Sequence, residues 1–316
     1  MTRKVIHVAL NGVTGRMGYR QHLVRSLLAI REQGGVRLED GSCLYPEPVL
    51  VGRNEERLRA IAERHGLERW TTSVDEVLAD PSVDVYFDTQ VTSAREVALL
   101  KAIEAGKHVY TEKPVAETLD GALRLARAAK AAGITHGVVH DKLFLPGVMK
   151  LQRLLGSGFF GRVLSVRLEF GYWVFEGDEI PAQRPSWNYR AEAGGGIVLD
   201  MFPHWQYLLT DLFGPISAVS GLRDCAVQHR VSTPMPVWNP DLPDPIEYQA
   251  LWSDVPDNMT FDNGFKAEWE LFLKCASEGR PFAWDLFEGA KGVQLAELAL
   301  RSSAEGRRLE IPPLAV

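Results

Sequence analysis

Three ionisable residues of this sequence could take part in one acid–base reaction. Lys113 follows the apolar run His108–Thr111 and precedes Pro114, in the segment HVYTEKPVAE. Asp200 and His204 lie four residues apart in GGGIVLDMFPHW, and on a helix this spacing brings both side chains to one face, about 6 Å apart at Cβ. A neutral imidazole can accept a proton near pH 7, and a lysine ammonium can stabilise a nearby negative charge. These residue types therefore support proton transfer if the fold brings them together.

Each of these residues also has a simpler interpretation. Glu112 and Lys113 could form an exposed ion pair at the rim of a sheet, which stabilises a protein little. Asp200 and His204 could be a surface pair on a helix. Pro203, between them, cannot donate a backbone hydrogen bond, so the helix should be strained or should begin near this point. The elements that carry these residues decide between the interpretations.

The first 140 residues or so alternate β-rich runs with helical patterns. This alternation predicts an α/β fold with a doubly wound parallel sheet and helices on both faces. Ligands bind beyond the carboxyl ends of the strands in such a sheet, so Lys113 should lie at the ligand-binding edge. Ser73 and Ser93 are predicted helix N-caps, and Gly106 and Gly133 are predicted to end helices. The predicted strands are Val5–Leu10, Val49–Gly52, Val83–Thr89, His108–Thr111 and Thr135–His140.

A second domain is predicted from the change of pattern beyond Gly147. A long strand, Val163–Val174, is followed by a glycine-rich turn and by a helix near Val198–Leu212. Residues 233–258 contain six prolines and should form an extended connection. Two amphipathic helices then close the chain, at Asp262–Glu278 and Asp285–Ala304. We therefore predict two domains, one over residues 1–142 and one over residues 143–316.

A glycine-rich turn follows the first predicted strand. The sequence NGVTGRMG places Gly12, Gly15 and Gly18 between this strand and the next helix. Glycine there lets backbone N–H groups approach a pyrophosphate, and the helix N-terminus favours the negative charge. The spacing is GxxGxxG rather than the usual GxGxxG, and a tight strand-to-helix turn alone would also need small residues. The surrounding strand–helix–strand pattern favours dinucleotide binding.

The end of the second strand bears on the choice between NAD and NADP. An NAD site usually has Asp or Glu there to bind the ribose 2′-hydroxyl, whereas this chain has Gly52, Arg53 and Asn54. A guanidinium can bind a 2′-phosphate, which favours NADP. Arg53 could equally be a solvated charge, and Glu55 or Glu56 could bind a ribose. NAD therefore remains the alternative.

Composition excludes several classes of partner. The chain has 316 residues, 46% of them apolar, and a formal net charge of −6, without the clustered Lys and Arg that nucleic acids and anionic membranes attract. The three cysteines are far apart in sequence, and no run is long enough to span a membrane. His136 and His140 would share a strand face, but no further ligands complete a metal site. We expect a cytoplasmic protein without a metal.

Four segments together resemble the glucose-fructose oxidoreductase / inositol dehydrogenase / MocA family of NAD(P)-dependent oxidoreductases. They are GVTGRMG, AGKHVYTEKPVAET, RPSWNYRAEAGGG and DMFPH. The resemblance covers about residues 4–222 and resumes in DLFEGAKGVQLAELALRSSAEGRRLEI. It implies that residues 1–142 form a dinucleotide-binding Rossmann domain and that residues 143–316 form an α+β domain for substrate binding and oligomerisation, whose open and mostly antiparallel sheet usually forms the oligomer interface.

The family's functional residues fall on the three residues considered first. The lysine of its EKP motif corresponds to Lys113, and its DxxxH motif corresponds to Asp200 and His204. Oxidation of a secondary alcohol requires a base for the hydroxyl proton while hydride moves to nicotinamide C4. His204 would be this base, Lys113 would hold the hydroxyl and stabilise the alkoxide, and Asp200 would orient or charge-stabilise His204.

The remaining site residues come partly from the resemblance and partly from residue type. Aromatic rings and hydrogen-bonding side chains before the glycine run suit a sugar, polyol or cyclitol, whose rings carry both C–H surfaces and hydroxyls. The predicted substrate-binding residues are Lys142, Trp173, Arg184, Trp187, Asn188 and Tyr189. The predicted cofactor-binding residues are Gly12, Thr14, Gly15, Arg16, Met17, Gly18, Arg53, Asn54, Thr89, Gln90, Glu112 and Lys113.

Two alternatives and one departure from the family remain. A non-catalytic dinucleotide-binding regulator would need no Lys113, Asp200 and His204 set. GVTGRMG also occurs in dihydrodipicolinate-reductase-like proteins, but their substrate motif is missing here. The chain passes from FGPISAVSGLRDCAVQHRV almost directly into the proline-rich segment, where the family has several more strands. A shortened sheet would expose an edge, and we expect a homo-oligomer to form through this sheet.

Overall fold

The computed structural model describes residues 2–168, 196–221 and 263–315, and its first part forms one mixed sheet. The strand order is β2-β3-β1-β5-β6-β7, with β4 beside the carboxyl end of β3. All pairs are parallel except β2 with β3. This sheet confirms the predicted doubly wound α/β fold. The strands are β1 (Arg3–Asn11), β2 (Val36–Arg37), β3 (Cys43–Val51), β4 (Trp70–Thr71), β5 (Val85–Asp88), β6 (His108–Thr111) and β7 (His136–Val138).

The strand order reverses between β1 and β5. β1 pairs with β3 on one side and with β5 on the other, and Asn11 at the end of β1 lies opposite Asp88 at the end of β5. Loops that leave neighbouring carboxyl ends in opposite directions open a crevice between them. This crevice is where a dinucleotide binds in folds of this kind.

Helices cover both faces of the sheet. Ser73 caps its helix as predicted, because its hydroxyl accepts the N–H of Glu76 at 3.2 Å. The predicted cap at Ser93 is wrong, since that helix begins one residue earlier, after the extended Val91. The helical elements are a π-helical segment (Gly18–Leu28) continued by α1 (Ala29–Glu32), α2 (Glu55–His65), α3 (Val74–Ala79), α4 (Thr92–Glu104), α5 (Leu119–Ala132), a 3₁₀ turn (Asp141–Phe144) and α6 (Pro146–Gly156).

The later elements are α7 (Ile197–Phe213), β8 (Ala218–Val219), α8 (Gly264–Ser277), α9 (Leu286–Glu305) and β9 (Leu309–Glu310). β8 and β9 form an antiparallel pair. The predicted strand Val163–Val174 is wrong over residues 163–168, which form no regular structure and leave apolar side chains such as Leu164 exposed. Its remainder and the proline-rich segment lie outside the described residues. No helix within the described ranges is long and apolar enough to cross a membrane.

Helices α8 and α9 return to the sheet and complete its core. Trp269 and Phe272 of α8 pack with Phe87 and Tyr110 on one face. On the other face, Leu286, Ala290 and Val293 of α9 join a cluster formed by β6, β7, α4 and α5. Burying one such large side chain stabilises a fold by about 1.5–3 kcal/mol. Residues 263–315, assigned from sequence to the second domain, thus contribute to the core of the first, and the boundary at residue 142 stays a prediction.

Helix α7 packs directly on α9. Pro203 lies inside α7, and its Cα would be 3.0 Å from a Cβ at Gly292 of α9. The predicted helix therefore exists, but Pro203 lies well within it rather than at its start. Because Gly292 has no side chain, the two helices approach closely. This contact places α7, with Asp200 and His204, beyond the carboxyl ends of β6 and β7.

Candidate active site

The glycine-rich turn is built by close backbone packing at the end of β1. Gly12 has φ +86°, and a Cβ on Gly18 would lie 2.6 Å from the carbonyl oxygen of Gly12. Thr89, after β5, contacts both glycines. Gly15 and Arg16 are exposed, whereas Thr14 and Met17 are half-buried. The turn therefore offers backbone and small side chains at the crevice, as a pyrophosphate requires.

The end of β3 supplies one exposed cation. Arg53 is exposed beside the buried Gly52. Asn54 caps α2, because its Oδ1 accepts the N–H of Arg57 at 2.9 Å, so this oxygen is already engaged. Glu55 pairs with Arg59 at 2.9 Å on the same helix. Arg53 is thus the residue at this strand end best suited to a 2′-phosphate.

A buried ion pair fixes the loop after β5. Arg95 Nε donates to Asp88 Oδ1 at 3.1 Å, and Arg95 also donates to the carbonyl oxygens of Gln90 and Pro114. Gln90 donates its side-chain amide to Asp88 Oδ2 at 2.8 Å. Both charged side chains are almost fully buried, so they satisfy each other. The loop of Thr89 and Gln90 is therefore held at the crevice, with the Gln90 side chain turned toward Asp88.

Glu112 points into the protein interior. Its Oε1 lies 2.8 Å from His22 Nε2, and its Oε2 accepts the backbone N–H of Lys113 at 3.1 Å. The indole of Trp269 donates to His22 Nδ1 at 3.0 Å, so His22 carries its proton on Nε2 and donates it to Glu112. Burial opposes ionisation of Glu112, but His22, Lys113 and Arg95 outweigh it and keep the pKa of this carboxyl below its usual value. The Glu112 carboxylate therefore helps to position the backbone of Lys113, and its contact with a cofactor stays a prediction.

Lys113 reaches across to α7. Its Nζ lies 2.6 Å from Asp200 Oδ1 and 2.9 Å from the Asp200 carbonyl oxygen, and both side chains are mostly buried. The peptide bond between Lys113 and Pro114 is cis. An exposed rim pair between Glu112 and Lys113 is therefore wrong, because the two side chains point to different partners.

His204 is buried and contacts a tyrosine rather than Asp200. Its Nδ1 lies 2.7 Å from the Tyr207 hydroxyl, which is 3.5 Å from Asp141 Oδ1. Tyr207 also stacks on His140, with ring centroids 4.0 Å apart. The prediction that Asp200 orients His204 is corrected: in the described structure the Asp200 carboxylate engages Lys113, and Tyr207 orients the imidazole.

The charge states of this cluster follow from burial. Desolvation, with the cations of Lys113 and Lys142 and with His140, holds the pKa of His204 well below 6.5. Burial raises the pKa of Asp141, although Lys142 opposes the shift. Burial also raises the pKa of Glu268 well above 4.5; its two oxygens accept the backbone N–H of His140 at 2.8 and 2.9 Å. His204 is therefore neutral at ordinary pH and competent as a base.

Lys113, Asp200, His204 and Lys142 come together at the edge where β6 and β7 end. Lys142 Nζ lies 3.3 Å from Asp141 Oδ2. Among the described residues no cluster of His, Cys, Asp and Glu could hold a metal. The other predicted substrate-binding residues, Trp173, Arg184, Trp187, Asn188 and Tyr189, lie outside the described residues.

Several residues of the site were not predicted from the sequence: His22, Asp141, Tyr207, Glu268 and Trp269. Tyr207 follows His204 by three positions, and this helical spacing could have identified it.

A Rossmann crevice beside a lysine and a neutral buried histidine defines a nicotinamide-dependent oxidoreductase. Two family models match the chain: "Oxidoreductase family, NAD-binding Rossmann fold" over residues 6–140, and "GFO/IDH/MocA C-terminal domain" over residues 148–279. The chain belongs to the Gfo/Idh/MocA family. It is an NAD(P)-dependent dehydrogenase that acts on CH–OH groups, so neither a non-catalytic regulator nor a dihydrodipicolinate-reductase-like protein describes it.

Two of the relatives that the chain matches are sugar dehydrogenases. A D-xylose dehydrogenase of Paenarthrobacter nicotinovorans is 46% identical over 381 aligned residues, which cover 98% of each chain. A levoglucosan dehydrogenase of Pseudarthrobacter phenanthrenivorans is 28% identical over 193 residues, 59% of this chain and 49% of the relative. The solved structure of a levoglucosan dehydrogenase with NADH and levoglucosan has a TM-score of 0.77 at 18% identity, over 98% of this chain and 100% of that one. This last likeness concerns the fold alone.

Proposed function

We propose that this enzyme oxidises a CH–OH group of an aldose, with D-xylose as the first substrate to test. The observation that carries the proposal is the reach of Lys113, from the cofactor-binding half, to Asp200, four residues before His204 on α7. The identity to a D-xylose dehydrogenase over nearly the whole chain supports the choice of sugar.

Lys113, His204 and Asp200 have different roles in this reaction. A bound nicotinamide supplies the acceptor for hydride. Lys113 donates a hydrogen bond to the substrate hydroxyl oxygen and stabilises it as its proton leaves. His204 takes this proton on Nε2, because its Nδ1 is engaged by Tyr207. Asp200 holds the Lys113 ammonium at 2.6 Å and so positions it, and the half-exposed Lys142 hydrogen-bonds another sugar hydroxyl.

The test is an assay of NAD and NADP reduction against D-xylose, other aldoses, polyols and glycosides. Lys113→Met and His204→Asn should each lower kcat by about 10²–10⁴-fold, the usual contribution of general acid–base assistance. Both variants should still bind dinucleotide. Lys101→Met is the matched control, because Lys101 pairs with Asp75 on the protein surface. Wild-type rates in both site variants would contradict the assignment.

NADP is the proposed preferred dinucleotide. Arg53 is exposed at the end of β3, where no carboxylate precedes α2, and its guanidinium suits a 2′-phosphate. A hydrogen bond to a charged group contributes about 1.5–3 kcal/mol, so Arg53→Ala should raise KM for NADP by about 10–150-fold and leave KM for NAD nearly unchanged. Equal effects on both dinucleotides would favour NAD as the natural cofactor.

We infer as well that the enzyme is a homo-oligomer. Apolar side chains are exposed after α6, among them Phe159, Leu164 and Leu168, with relative exposures of 71%, 84% and 52%. Contiguous exposed apolar surface usually marks an interface. Light scattering during size-exclusion chromatography should give a mass that is a multiple of the chain mass, and a monomer at micromolar concentration would contradict this inference.

A further inference from the structure

A chain of hydrogen-bonding groups leads from His204 away from the substrate side. His204 Nδ1 lies 2.7 Å from the Tyr207 hydroxyl, and this hydroxyl lies 3.5 Å from Asp141 Oδ1. The second distance is at the outer limit of a hydrogen bond, as is common in unliganded sites whose contacts tighten on substrate binding. His204, Tyr207 and Asp141 are all almost fully buried. His204 Nδ1 is also 4.0 Å from Asp141 Oδ1, so the three groups form a compact, bent chain that is shielded from water.

One direction of donation through these groups leaves His204 Nε2 free to act as a base. A phenol hydroxyl has one proton to donate and two lone pairs. The backbone N–H of Lys142 donates to the Tyr207 oxygen at 3.3 Å. If the hydroxyl donates its proton to the Asp141 carboxylate, its remaining lone pair accepts N–H from His204 Nδ1. The imidazole then has its free lone pair on Nε2, as a base at that nitrogen requires.

We propose that Tyr207 and Asp141 relay the proton that His204 takes from the sugar, an inference that rests on the proposed function. The substrate hydroxyl proton moves to His204 Nε2 while its C–H hydrogen leaves as hydride. The Nδ1 proton then moves to the Tyr207 oxygen, and the Tyr207 proton moves to Asp141 Oδ1. The substrate becomes a carbonyl compound, the imidazole stays neutral overall, and Asp141 becomes a neutral carboxylic acid.

The charges around His204, Tyr207 and Asp141 favour this transfer of the proton to Asp141. Lys113 at the end of β6, Lys142 in the 3₁₀ turn and His140 beside it all face His204 and disfavour an imidazolium. Glu112, Glu268 and Asp141 are the acidic groups near the Tyr207 hydroxyl. Burial raises the pKa of Asp141, so its carboxylate accepts a proton more readily than an exposed one does. Tyr207 remains a neutral phenol, because burial and these carboxylates raise its pKa well above 10.

A route to solvent exists at the far end. Asp141 Oδ2 lies 3.3 Å from Lys142 Nζ, and the Lys142 side chain is 32% exposed. After hydride transfer the Lys142 ammonium can release one proton to solvent, and its free amine then takes the proton held by Asp141, so that both groups return to their starting charges. Tyr207 and Asp141 act through His204, so they are positioning and relay residues.

The first experiment compares single turnovers of the wild type and Tyr207→Phe with saturating dinucleotide and D-xylose. We expect Tyr207→Phe to lower the hydride-transfer rate by at least about tenfold, part of the 10²–10⁴-fold expected of the base, with the KM for dinucleotide unchanged. Measured in mixtures of H₂O and D₂O, the wild-type rate should curve with deuterium fraction, since several protons move, and the Tyr207→Phe rate should be linear. Tyr45→Phe is the control, because Tyr45 lies near the amino end of β3, away from the carboxyl ends of the strands, with its ring beneath the Arg3 guanidinium. A linear wild-type dependence, or a Tyr207→Phe rate equal to that of the wild type, would overturn the relay.

The second experiment needs no turnover. In ¹⁵N-histidine spectra of the unliganded enzyme, assigned by loss of one signal in His204→Asn, neutral His204 should carry its proton on Nδ1. Tyr207→Phe should move this proton largely to Nε2. A wild-type His204 protonated on Nε2 would overturn the relay even if sugars are oxidised. Absence of turnover with every sugar would instead reject the proposed function, while the tautomer would still test the hydrogen-bond direction.

Discussion

At the scale of single residues, burial shifts the pKa values of His204 and Asp141, the two ends of the relay, in opposite directions. Loss of water disfavours the charged form of each, so the pKa of His204 falls and that of Asp141 rises. The nearby ammonium groups of Lys113 and Lys142 lower the pKa of His204 further. The histidine is thus kept as a neutral base over a wide range of pH.

The acid limb of activity should therefore depend on Lys142. The profile of kcat/KM rises with pH as His204 loses its proton, and its midpoint should lie well below pH 6.5. Lys142→Met removes a cation that disfavours the imidazolium, so the pKa of His204 rises and the acid limb moves to higher pH. Lys150→Met, an exposed lysine of α6, should leave the limb unchanged. A shift to lower pH in Lys142→Met would contradict this electrostatic account.

The functional side chains in recognisable motifs were predicted from the sequence, but the residues that contact them were not. Lys113, Asp200, His204 and Lys142 do meet, whereas the partnership of Tyr207 with Asp141 spans 66 residues and that of His22 with Glu112 spans 90. No local spacing encodes such contacts, because they form only when separate elements pack. The pairing of Asp200 was mispredicted for the same reason: its partner Lys113 is 87 residues away, while His204 is four residues away.

At the scale of elements, α8 supports the strand end that carries Lys113. The chain of hydrogen bonds from Trp269 through His22 to Glu112 ends at the backbone N–H of Lys113. Trp269→Phe removes the donor to His22 Nδ1 and leaves a buried acceptor unsatisfied, which costs about 1–3 kcal/mol. We expect a lower Tm and, because His22 is no longer held in the tautomer that donates to Glu112, a lower kcat.

A matched substitution separates these two effects. Trp284→Phe makes the same change in a ring that contacts Phe144 and Phe282 in the same core. It should lower Tm with little change in kcat. If Trp269→Phe and Trp284→Phe change kcat equally, the hydrogen bonds from Trp269 do not position Lys113.

The contact between α7 and α9 makes a second prediction at this scale. A Cβ at Gly292 would lie 3.0 Å from both Cα and Cβ of Pro203, so Gly292→Val must push α7 away from α9. Overpacking of this kind costs about 1–3 kcal/mol, and the displacement should lower kcat because α7 carries Asp200 and His204. Gly147→Val is the control, since open space surrounds its Cβ position. Thermal unfolding and steady-state rates are the measurements; unchanged rates in a destabilised Gly292→Val would show that α7 is anchored elsewhere.

Most strands of the first half were predicted from local sequence, but Val49–Gly52 is observed as Cys43–Val51, which begins six residues earlier, and the short strands β2 and β4 were not predicted. Val5–Leu10 became Arg3–Asn11, and His108–Thr111 was correct at both ends. Predictions that needed tertiary information were less accurate. The helix N-cap at Ser93 is wrong because Thr92 already begins the helix, and residues 163–168 have the apolar content of a strand but lie exposed without a partner among the described strands.

At the scale of the whole molecule, the chain leaves the cofactor-binding half and returns to it. Trp269, Phe272 and Leu273 of α8 are fully buried against that half, and Glu268 binds the backbone at His140. A fragment of residues 1–142 would therefore expose a large apolar face. We predict that it shows no cooperative thermal transition and binds no dinucleotide, measured by circular dichroism and fluorescence titration. Cooperative unfolding at the Tm of the full chain would contradict this view.

The length of the chain also differs from that of its relative. The D-xylose dehydrogenase aligns over 381 residues, more than the 316 residues present here, so the relative carries segments without a counterpart in this chain. The prediction that family strands are missing, made from the abrupt passage into the proline-rich segment, stays a prediction, because that segment lies outside the described residues. The family resemblance alone could not predict how the remaining C-terminal residues pack.

The return of α8 and α9 limits how this enzyme can be recombined with others. The simplest chimaera of two dehydrogenases joins the nucleotide-binding module of one to the catalytic module of the other, with a single crossover between them. A crossover near residue 142 would here pair a foreign His22 and Glu112 with the native Trp269, and a foreign sheet with the native Phe272. A working chimaera should need two crossovers, so that residues 1–142 and residues 263–315 come from the same parent enzyme.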